Sequence, residues 1–270
     1  MSPNVSVLMS VYNNEATVDA SISSIVNQTF TDWELILWDD ASTDGTAKKL
    51  KSWELHDSRI RLFSNAENLG LAPSLNLALA QAQGGYIARM DGDDESLPER
   101  FQKQTAFLDT HPEYALVGSG CTLFDDAGDW GERFGNAAPQ KKDFLWGSQF
   151  IHPAVMLRRD ALTAVGGYRV CRDTVRTEDY DLFMRLYAHG FTGYNLAEPL
   201  LRYRDNRVPR RVRFAHRLNE VKIRFRGFKA LGLLPVGLPY VLKPIAVAML
   251  PGGLKRRLQH NRQASKEGSL

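Results

Sequence analysis

Apolar runs alternate with helical segments along the first 111 residues, and this alternation limits the fold more than any other feature of the chain. Four β-branched or aromatic runs have the pattern of buried strands: 5–12, 33–40, 59–65 and 86–91. A segment with helical spacing of its apolar residues follows each run, and the last of these segments is entered at Pro98. Strands alternating with helices predict a parallel sheet covered on both faces.

The alternation loosens beyond Ala115. Residues 114–124 predict another strand, 125–136 a polar turn, and 152–168 a strand and a helix ended by Gly-Gly. Residues 177–190 predict a helix that Thr177 caps. The expected fold class is α/β: a Rossmann-like, mostly parallel sheet flanked by helices, with a helical carboxyl-terminal extension over 208–270.

Composition excludes several classes of protein. With 270 residues, 43% of them hydrophobic and 24% charged, the chain can bury a sizeable core and is not disordered in bulk. Its two cysteines, Cys121 and Cys171, form no metal-binding or disulfide pattern and are expected to be ordinary thiols. The first residues lack a basic region followed by a long apolar stretch, so a cytoplasmic location is expected.

Acidic residues gather where the predicted strands end. Asp39 and Asp40 close the second strand, and Asp91 and Asp93 follow the fourth. In parallel sheets of this kind, ligands bind at the carboxyl ends of the strands, near the point where the strand order reverses. These carboxylates therefore indicate a ligand site at this edge of the sheet.

The sequence DGDD (91–94) has the chemistry of a cation site. Asp91 and Asp93 flank Gly92, and residues two apart in an extended segment point the same way. Two carboxylates on one side suit Mg²⁺ or Mn²⁺, which prefer carboxylate, water and phosphate oxygens. The alternative is a solvated acidic turn. Asp94 alternates away, and we expect it to cap the helix entered at Pro98.

Two further acidic segments allow both a functional and a structural interpretation. Asp39 and Asp40 can accept hydrogen bonds from a ribose hydroxyl or a base N–H, whereas Asp44 is at least as well explained as a helix cap. Glu178 and Asp179 fall in the first turn of the predicted helix, where the helix dipole favours negative charge. Near a metal–diphosphate site, one of this pair could instead serve as a general base.

Six segments occur in an order that resembles family 2 glycosyltransferases. They are VSVLMSVYNNE, DDASTDGT, NLGLAPSLNLAL, GGYIARMDGDDESLPERFQKQ, IHPAVMLRRDAL and EDYDLFMRL, and together they span roughly residues 4–205. The resemblance implies a GT-A fold over 1–207, with a nucleotide-binding half (1–111) and an acceptor half (112–207). It also implies inverting transfer from a nucleotide-sugar. The Q-x-x-R-W signature of processive synthases is missing, which favours transfer of one sugar at a time.

The resemblance assigns the donor side as follows. Ser10 and Tyr12 would lie beside the nucleotide, with Tyr12 stacked on the base, and Glu15 near the uracil or ribose. Asp40, with Asp39 beside it, would accept a hydrogen bond from the base. Asn68 belongs to a matched segment and is also expected to contact the donor, for which a UDP-sugar is the main candidate. Other relatives carry a cation in the segment read here as SLN (74–76), so a diphosphate contact there is doubtful.

The remaining roles concern the metal, catalysis and the acceptor. Asp93 would bind a divalent cation, Mn²⁺ or Mg²⁺, while Asp91 contacts the ribose or a metal-bound water. Asp179 matches the catalytic base, with Glu178 as its rival. His152 matches a position on the acceptor side, and a buried structural histidine is an equally good interpretation. The acceptor would be a saccharide or a lipid-linked saccharide in the assembly of cell-surface polysaccharide or glycolipid.

Two other functions stay open. A sugar-phosphate nucleotidyltransferase uses a similar nucleotide fold, but it would need a glycine-rich loop bearing Lys or Arg after the first strand, and SVYNNEATV lacks one. A non-catalytic, membrane-associated protein that binds sugar-nucleotides would keep the fold without turnover. The acids Asp91, Asp93 and Asp179 favour the enzyme.

The extension (208–270) differs in charge from the rest of the chain. Residues 1–200 carry 17 basic and 28 acidic groups, a net charge of −11, whereas residues 201–270 carry 17 basic and 3 acidic groups, a net charge of +14. Apolar residues lie among these cations, and several prolines argue against one continuous membrane-spanning helix. We expect short amphipathic helices on an anionic membrane, at the inner face of the cell membrane. The alternative is packing on the catalytic domain, and the apolar content disfavours a nucleic-acid arm.

Overall fold

The computed structural model describes residues 3–207 and 214–249, with the side chains of the last two residues excluded. Nine strands form one sheet: β1 (Val5–Val11), β2 (Trp33–Asp39), β3 (Ile60–Ser64), β4 (Tyr86–Met90), β5 (Glu95–Ser96), β6 (Leu116–Asp125), β7 (Gly128–Arg133), β8 (Met156–Arg158) and β9 (Gly193–Arg204). The helices are α1 (Val18–Val26), α2 (Thr46–His56), α3 (Leu71–Gln81), α4 (Arg100–Thr110), α5 (Arg159–Ala164), α6 (Glu178–Ala188), α7 (Phe214–Ala230) and α8 (Leu238–Met249). This is the expected α/β fold.

The strand order is β3-β2-β1-β4-β8-β6-β9-β5, and β7 pairs with β6 outside this path. The first four strands are parallel, as the sequence predicts. Beyond β4 the sheet is mixed, because β8 runs antiparallel to both β4 and β6 while β9 runs parallel to β6. The order reverses at β1, where the chain passes β2 and β3 on one side and returns to β4 on the other. The carboxyl ends of β1, β2 and β4 therefore meet at a switch point.

Apolar side chains on the two faces of the sheet form two cores. One core lies under α3, α5 and α6 and includes Ile87 of β4; the other lies under α1, α2 and α4 and includes Ala88 and Met90. All five residues of β4 are buried, so this strand is covered on both faces. Of the two free thiols, Cys121 is buried in β6 and Cys171 is partly exposed.

Two strands go beyond the sequence prediction. The polar segment 125–136 was expected to be a turn, but Asp125–Gly128 is the tip of a hairpin whose second strand is β7. The 12-residue strand β9 was not predicted at all. It contains Pro199, and its pairing with β6 shifts register around Gly120, which fits the confinement of proline to irregular positions in sheets.

The described part of the extension packs on the rest of the chain. Ile223, Phe228, Leu231 and Val241 join the same core as α3 and α6. Buried Arg224 donates to the Leu145 carbonyl at 3.1 Å and pairs with Glu220. α7 and α8 thus make the contacts expected of an extension packed on the rest of the chain, and Pro244 lies inside α8 and does not end it.

None of the helices in the described ranges has both the length and the apolar character needed to cross a bilayer. The basic residues at 210–213 and 255–257, which contributed to the membrane hypothesis, lie outside the described residues.

Candidate active site

Three carboxylates converge at the end of β4. Asp91, Asp93 and Asp94 each offer an oxygen, and these oxygens all lie within 4.8 Å of one another. Burial, followed by repulsion from Asp91, raises the pKa of Asp93. We call these three residues the acidic cluster. Like charges held this close are unfavourable unless a cation binds between them.

The acidic cluster fits a hard divalent cation. All its ligand atoms are carboxylate oxygens, the donor type that Mg²⁺ and Mn²⁺ prefer. In addition, Oδ2 of Asp94 is buried and has no hydrogen-bond partner in the described part of the protein. A buried, unsatisfied carboxylate oxygen is costly, and a bound cation would remove that cost.

The structure corrects the role expected for Asp94. Its side chain does not cap α4, whose N-cap position is Glu99 and has no side-chain cap. Instead Asp94 is 1% exposed and accepts a hydrogen bond from the Arg204 N–H at 2.8 Å. Burial, and then the charges of Asp91 and Asp93, raise its pKa well above the usual range. Gly92 and Asp93 form a turn, so the alternation of an extended segment does not apply and Asp94 points back towards its neighbours.

The sequence analysis did not single out Arg89, a buried arginine at this site. It is 1% exposed in the middle of β4 and forms an ion pair with Asp91. Its Nε atom is buried without a hydrogen-bond partner among the described residues. Arg89 also acts on the pKa values of Glu178, Asp179 and His152. It is therefore within electrostatic range of both the acidic cluster and the start of α6, and brings the two predicted acidic segments into one site.

The ends of β1 and β2 form the neighbouring part of the site. Ser10 is 8% exposed near the end of β1, and Tyr12, which follows the strand, is 46% exposed. The Asp39 Oδ1 atom accepts a hydrogen bond from the Ser42 N–H at 3.0 Å. The exposed Tyr12 ring is available for stacking, as its expected role requires.

Asp40 is occupied by internal contacts. It is 3% exposed, and its carboxylate accepts hydrogen bonds from Asn65 Nδ2 at 2.7 Å and from the N–H groups of Leu69 and Gly70, both at 2.8 Å. These contacts hold the loop between β3 and α3 against the end of β2. The geometry therefore favours a structural role for Asp40 and leaves Asp39 as the better candidate for a base contact.

Replacement of Asp40 by alanine is expected to lower the free energy of unfolding by about 3 kcal/mol, because three donors lose a charged acceptor. Denaturant unfolding measures this loss. Asn68→Ala, at an exposed site on the same loop, is the control and should stay within about 0.5 kcal/mol of wild type. If Asp40→Ala were fully stable but had lost nucleotide binding, the result would instead support the direct contact between Asp40 and the base that the sequence predicts.

Glu15 and Asn68, which were predicted to bind the nucleotide-sugar donor, are not part of the acidic cluster. The Glu15 carboxylate accepts a hydrogen bond from the Gly45 N–H at 3.0 Å, at the start of α2. Asn68 is exposed on the loop that Asp40 anchors. Asp44 accepts from the N–H of Thr46, the first residue of α2, at 2.9 Å, although the N-cap position itself is Gly45. Asn76 bonds both N–H and carbonyl groups of Tyr168, so it ties α3 to the loop before α6.

Glu178 and Asp179 lie in the first turn of α6, as predicted, but Thr177 does not cap the helix with its side chain. The Thr177 hydroxyl donates instead to the Thr174 carbonyl at 3.2 Å. Burial raises the pKa of both acids, and hydrogen bonds from backbone N–H groups offset part of this rise in each. The Ser148 side chain also lowers the pKa of Asp179, although its hydroxyl donates to the Phe150 carbonyl at 3.1 Å. Asp179 is thus a half-buried carboxylate with a raised pKa, which suits a general base.

His152 makes a side-chain contact and not the backbone contacts expected of a structural histidine. Its Nε2 atom lies 2.7 Å from the Tyr168 hydroxyl, and its ring packs edge-on against Tyr168 and Phe183. Burial, and then the charge of Arg89, lower its pKa well below the usual value. His152 is therefore a neutral group beside Arg89, and its expected role on the acceptor side stays a prediction.

Comparison with known proteins gives the family. The model of "Glycosyl transferase family 2" matches residues 6–166. A putative glycosyltransferase of Bacillus subtilis, EpsE, is 41% identical over 270 residues, which cover 99% of this chain and 97% of that protein. The chain belongs to glycosyltransferase family 2. The O-antigen biosynthesis glycosyltransferase WbnJ of Escherichia coli is 34% identical and covers 74% of this chain and 79% of its own length.

Solved structures confirm the GT-A fold of this family 2 glycosyltransferase. TarS of S. aureus in complex with UDP-GlcNAc superposes with a TM-score of 0.72 at 17% identity, covering 93% of this chain and 77% of that one. The mannosyltransferase PcManGT of Pyrobaculum calidifontis, in complex with GDP-Man and Mn²⁺, gives a TM-score of 0.62 at 19% identity, with 98% and 80% covered.

Proposed function

We propose that this glycosyltransferase transfers a single sugar, with inversion, from a nucleotide-sugar to an acceptor hydroxyl and that it depends on a divalent cation. The observation that carries the proposal is the convergence of Asp91, Asp93 and Asp94 at the switch point of the sheet. We assign residues 1–111 to the donor, 112–207 to the acceptor and 208–270 to a basic extension. UDP is the nucleotide that we favour, since TarS binds UDP-GlcNAc. PcManGT binds GDP-Man, so a guanine nucleotide is the alternative.

On the donor side, the chain's own residues bind and orient the nucleotide-sugar. Tyr12 stacks on the base and Asp39 accepts a hydrogen bond from it, while Asp40 holds the loop behind them. Asp93 and Asp94 would hold Mn²⁺ or Mg²⁺, and Asp91 contacts the ribose or a metal-bound water. The cation would neutralise charge on the leaving diphosphate. Arg89 fixes Asp91 through its ion pair and adds a buried positive charge on the same side.

On the acceptor side, Asp179 takes the proton from the attacking hydroxyl. The Arg89 charge and the Ser148 side chain both lower the pKa of Asp179, so that both favour the ionised form that a base requires. Attack on the face of the sugar opposite the leaving group inverts the anomeric configuration. Glu178 is adjacent, and its buried Oε2 atom has no hydrogen-bond partner within the described ranges. It is the alternative base.

The biological setting we propose is the assembly of cell-surface polysaccharide, on a saccharide or lipid-linked acceptor. The support is the names of relatives: WbnJ in O-antigen biosynthesis and AmsE of Erwinia amylovora, 30% identical, in amylovoran biosynthesis. We also propose that the extension lies on an anionic membrane at its inner, cytoplasmic face. Exposed Phe214, Leu218 and Phe225 share one side of α7, and Leu238 and Leu242 are exposed on α8.

Product analysis tests the function. The protein is incubated with Mn²⁺ and a panel of nucleotide-sugars, and the nucleotides are separated by chromatography. A transferase releases nucleoside diphosphate, slowly when water takes the sugar and faster when an acceptor takes it. A nucleotidyltransferase would form nucleoside triphosphate when pyrophosphate is added. Calorimetric binding of UDP with no product from any donor would identify a binding protein and contradict the proposal.

Sedimentation with vesicles tests the membrane proposal separately. The whole chain should sediment with vesicles of anionic phospholipid at low salt and stay in solution with neutral vesicles. Phe225→Ser should weaken the binding, whereas Leu55→Ser, at an exposed site on α2, should not. Equal recovery in solution with both kinds of vesicle would contradict the proposal.

Ser148→Ala should move the acidic limb of the kcat profile to higher pH. The Ser148 side chain lowers the pKa of Asp179, so its truncation lets burial raise that pKa further. A base is active when ionised, so activity is lost as the pH falls through the raised pKa. Profiles of wild type, Ser148→Ala and the exposed control Ser52→Ala check this. If the acidic limb of the kcat profile did not move in Ser148→Ala, either Asp179 would not be the base or Ser148 would not act on it.

A further inference from the structure

A pocket of about 350 Å³ lies in the acceptor half, between the segment 134–136 that follows β7 and the segment 143–149. We propose that this pocket binds the glycosyl acceptor: a neutral saccharide whose ring stacks on Trp146 and whose hydroxyl groups bond to the polar side chains around it. The inference rests on the proposed glycosyl transfer and concerns residues that neither the acidic cluster nor the sequence motifs include.

The pocket is next to the proposed base. Ser148 lines it, and the same side chain lies close enough to Asp179 to lower the pKa of that carboxyl. A saccharide seated against Ser148 would thus place a hydroxyl group beside the Asp179 carboxylate. The pocket is therefore positioned for the nucleophile and not for the nucleotide, whose expected contacts lie at the ends of β1 and β2.

Trp146 is exposed and yet fixed in place. Its side chain is 59% exposed, although large aromatic residues usually bury more of their surface. Tyr240 of α8 contacts it edge-on, with ring centroids 5.0 Å apart, and Lys243 Nζ lies 5.0 Å from its ring centroid. Lys243 also donates to the Trp146 carbonyl at 3.2 Å. An indole fixed before binding loses little entropy when a sugar ring stacks on it.

The polar walls of the pocket are built before any ligand arrives. Buried Asn195 donates to the carbonyls of Asn136 at 2.8 Å and Gln149 at 3.0 Å, and so clamps the two segments together. A Cβ atom at Gly135 would lie 2.7 Å from the Gln149 carbonyl, so the close approach requires glycine there. The Gln149 amide donates to the Asp143 carbonyl at 2.8 Å. The Gln149 amide also donates to the Gly147 carbonyl at 3.0 Å and is used internally, so Asn136 and Asp143 supply the amide and carboxylate groups that match hydroxyls, which both donate and accept.

The charge of the pocket favours a neutral ligand. The described residues that line it include the carboxylate of Asp143 and no lysine or arginine. A phosphate or diphosphate would meet the negative charge of Asp143 there, and the adjacent cation, Lys243, lies against the Trp146 ring. A saccharide, with an apolar ring face and polar rim, fits both the indole and the amides.

Saturation-transfer NMR tests the pocket directly. The probes are methyl glycosides of common hexoses and N-acetylhexosamines, added to the whole chain with and without UDP and Mn²⁺. Wild type should transfer saturation to the ring protons of at least one glycoside. Trp146→Ala should weaken that binding about tenfold, Trp146→Phe should weaken it less, and the exposed control Leu55→Ala should match wild type. Asn136→Ala, an exposed change that keeps the indole, provides a second variant and should also weaken binding.

Binding of a glycoside that is equal in wild type, Trp146→Ala and Asn136→Ala would overturn the proposal, as would no saturation transfer to any probe from wild type. Release of nucleoside diphosphate is measured in the same samples. A failure of the pocket proposal can then be distinguished from a failure of the proposed transferase activity. The control Leu55→Ala should release nucleoside diphosphate at the wild-type rate. Saccharide binding at Trp146 with no release from wild type would refute the transferase and leave the pocket standing.

Discussion

Replacing Asp179 with asparagine should lower the rate of sugar transfer about 10²- to 10⁴-fold, which is the usual contribution of a general base. Asparagine keeps the size of the side chain but cannot accept the proton. Because burial already raises the pKa of Asp179, removal of its charge should not destabilise the protein greatly. Initial rates of nucleoside diphosphate release with a working acceptor measure the effect, and calorimetry of UDP binding should give the wild-type affinity.

Glu178→Gln is the matched control for this prediction. Both residues lie in the first turn of α6 and both have a raised pKa, but Ser148, which lies beside the site, lowers the pKa of Asp179. The glutamine variant should therefore retain most of the activity. If Glu178→Gln removed turnover while Asp179→Asn kept it, the two roles would have to be exchanged.

Replacing Asp93 with alanine should abolish the response to Mn²⁺ and lower the transfer rate roughly a thousandfold, since metal stabilisation of a leaving group contributes several kcal/mol. The effect on the metal-free protein should be opposite. Repulsion from Asp91 raises the pKa of Asp93, and Asp94 is buried beside both, so the removal of one carboxylate relieves unfavourable charge. The Asp93→Ala apoprotein should be at least as stable as wild type.

Thermal unfolding separates these two effects. Mn²⁺ with UDP should raise the Tm of wild type by stabilising the folded state, and should leave the Tm of Asp93→Ala unchanged. Asp126→Ala is the control, since its carboxylate is exposed and lies outside the acidic cluster. An equal Mn²⁺-dependent rise in wild type and Asp93→Ala would show that the cation binds elsewhere.

The sequence predicts residues 1–111 well because their signals are local. β1, β2, β3 and β4 are short runs rich in apolar residues, and their order places Asp39 and Asp91 at one edge of the sheet. Residues 112–207 were predicted less well. β9 carries Pro199 and pairs with β6 across register shifts, so its stability comes from contacts distant in the sequence. No periodicity in the segment itself reports those contacts.

The candidate site shows the same difference between local and distant information. Asp91, Asp93 and Asp179 were found from residue type and position, but the internal bonds of Asp40 depend on Asn65 and Gly70, 25 and 30 residues away. Arg89 was missed because an arginine in a strand is usually exposed. A signal was available, since β4 was expected to be covered on both faces and a buried cation needs an acid such as Asp91.

The stereochemistry of donor turnover tests the central claim most directly. Proton NMR follows a nucleotide-sugar of known anomeric configuration as the wild-type protein, with Mn²⁺, releases or transfers its sugar. The site described here predicts that the first product has the opposite configuration and that Asp179→Asn forms it far more slowly. A first product with retained configuration would contradict direct attack assisted by Asp179. Turnover that neither Asp93→Ala nor Asp179→Asn reduces would place the chemistry outside this site.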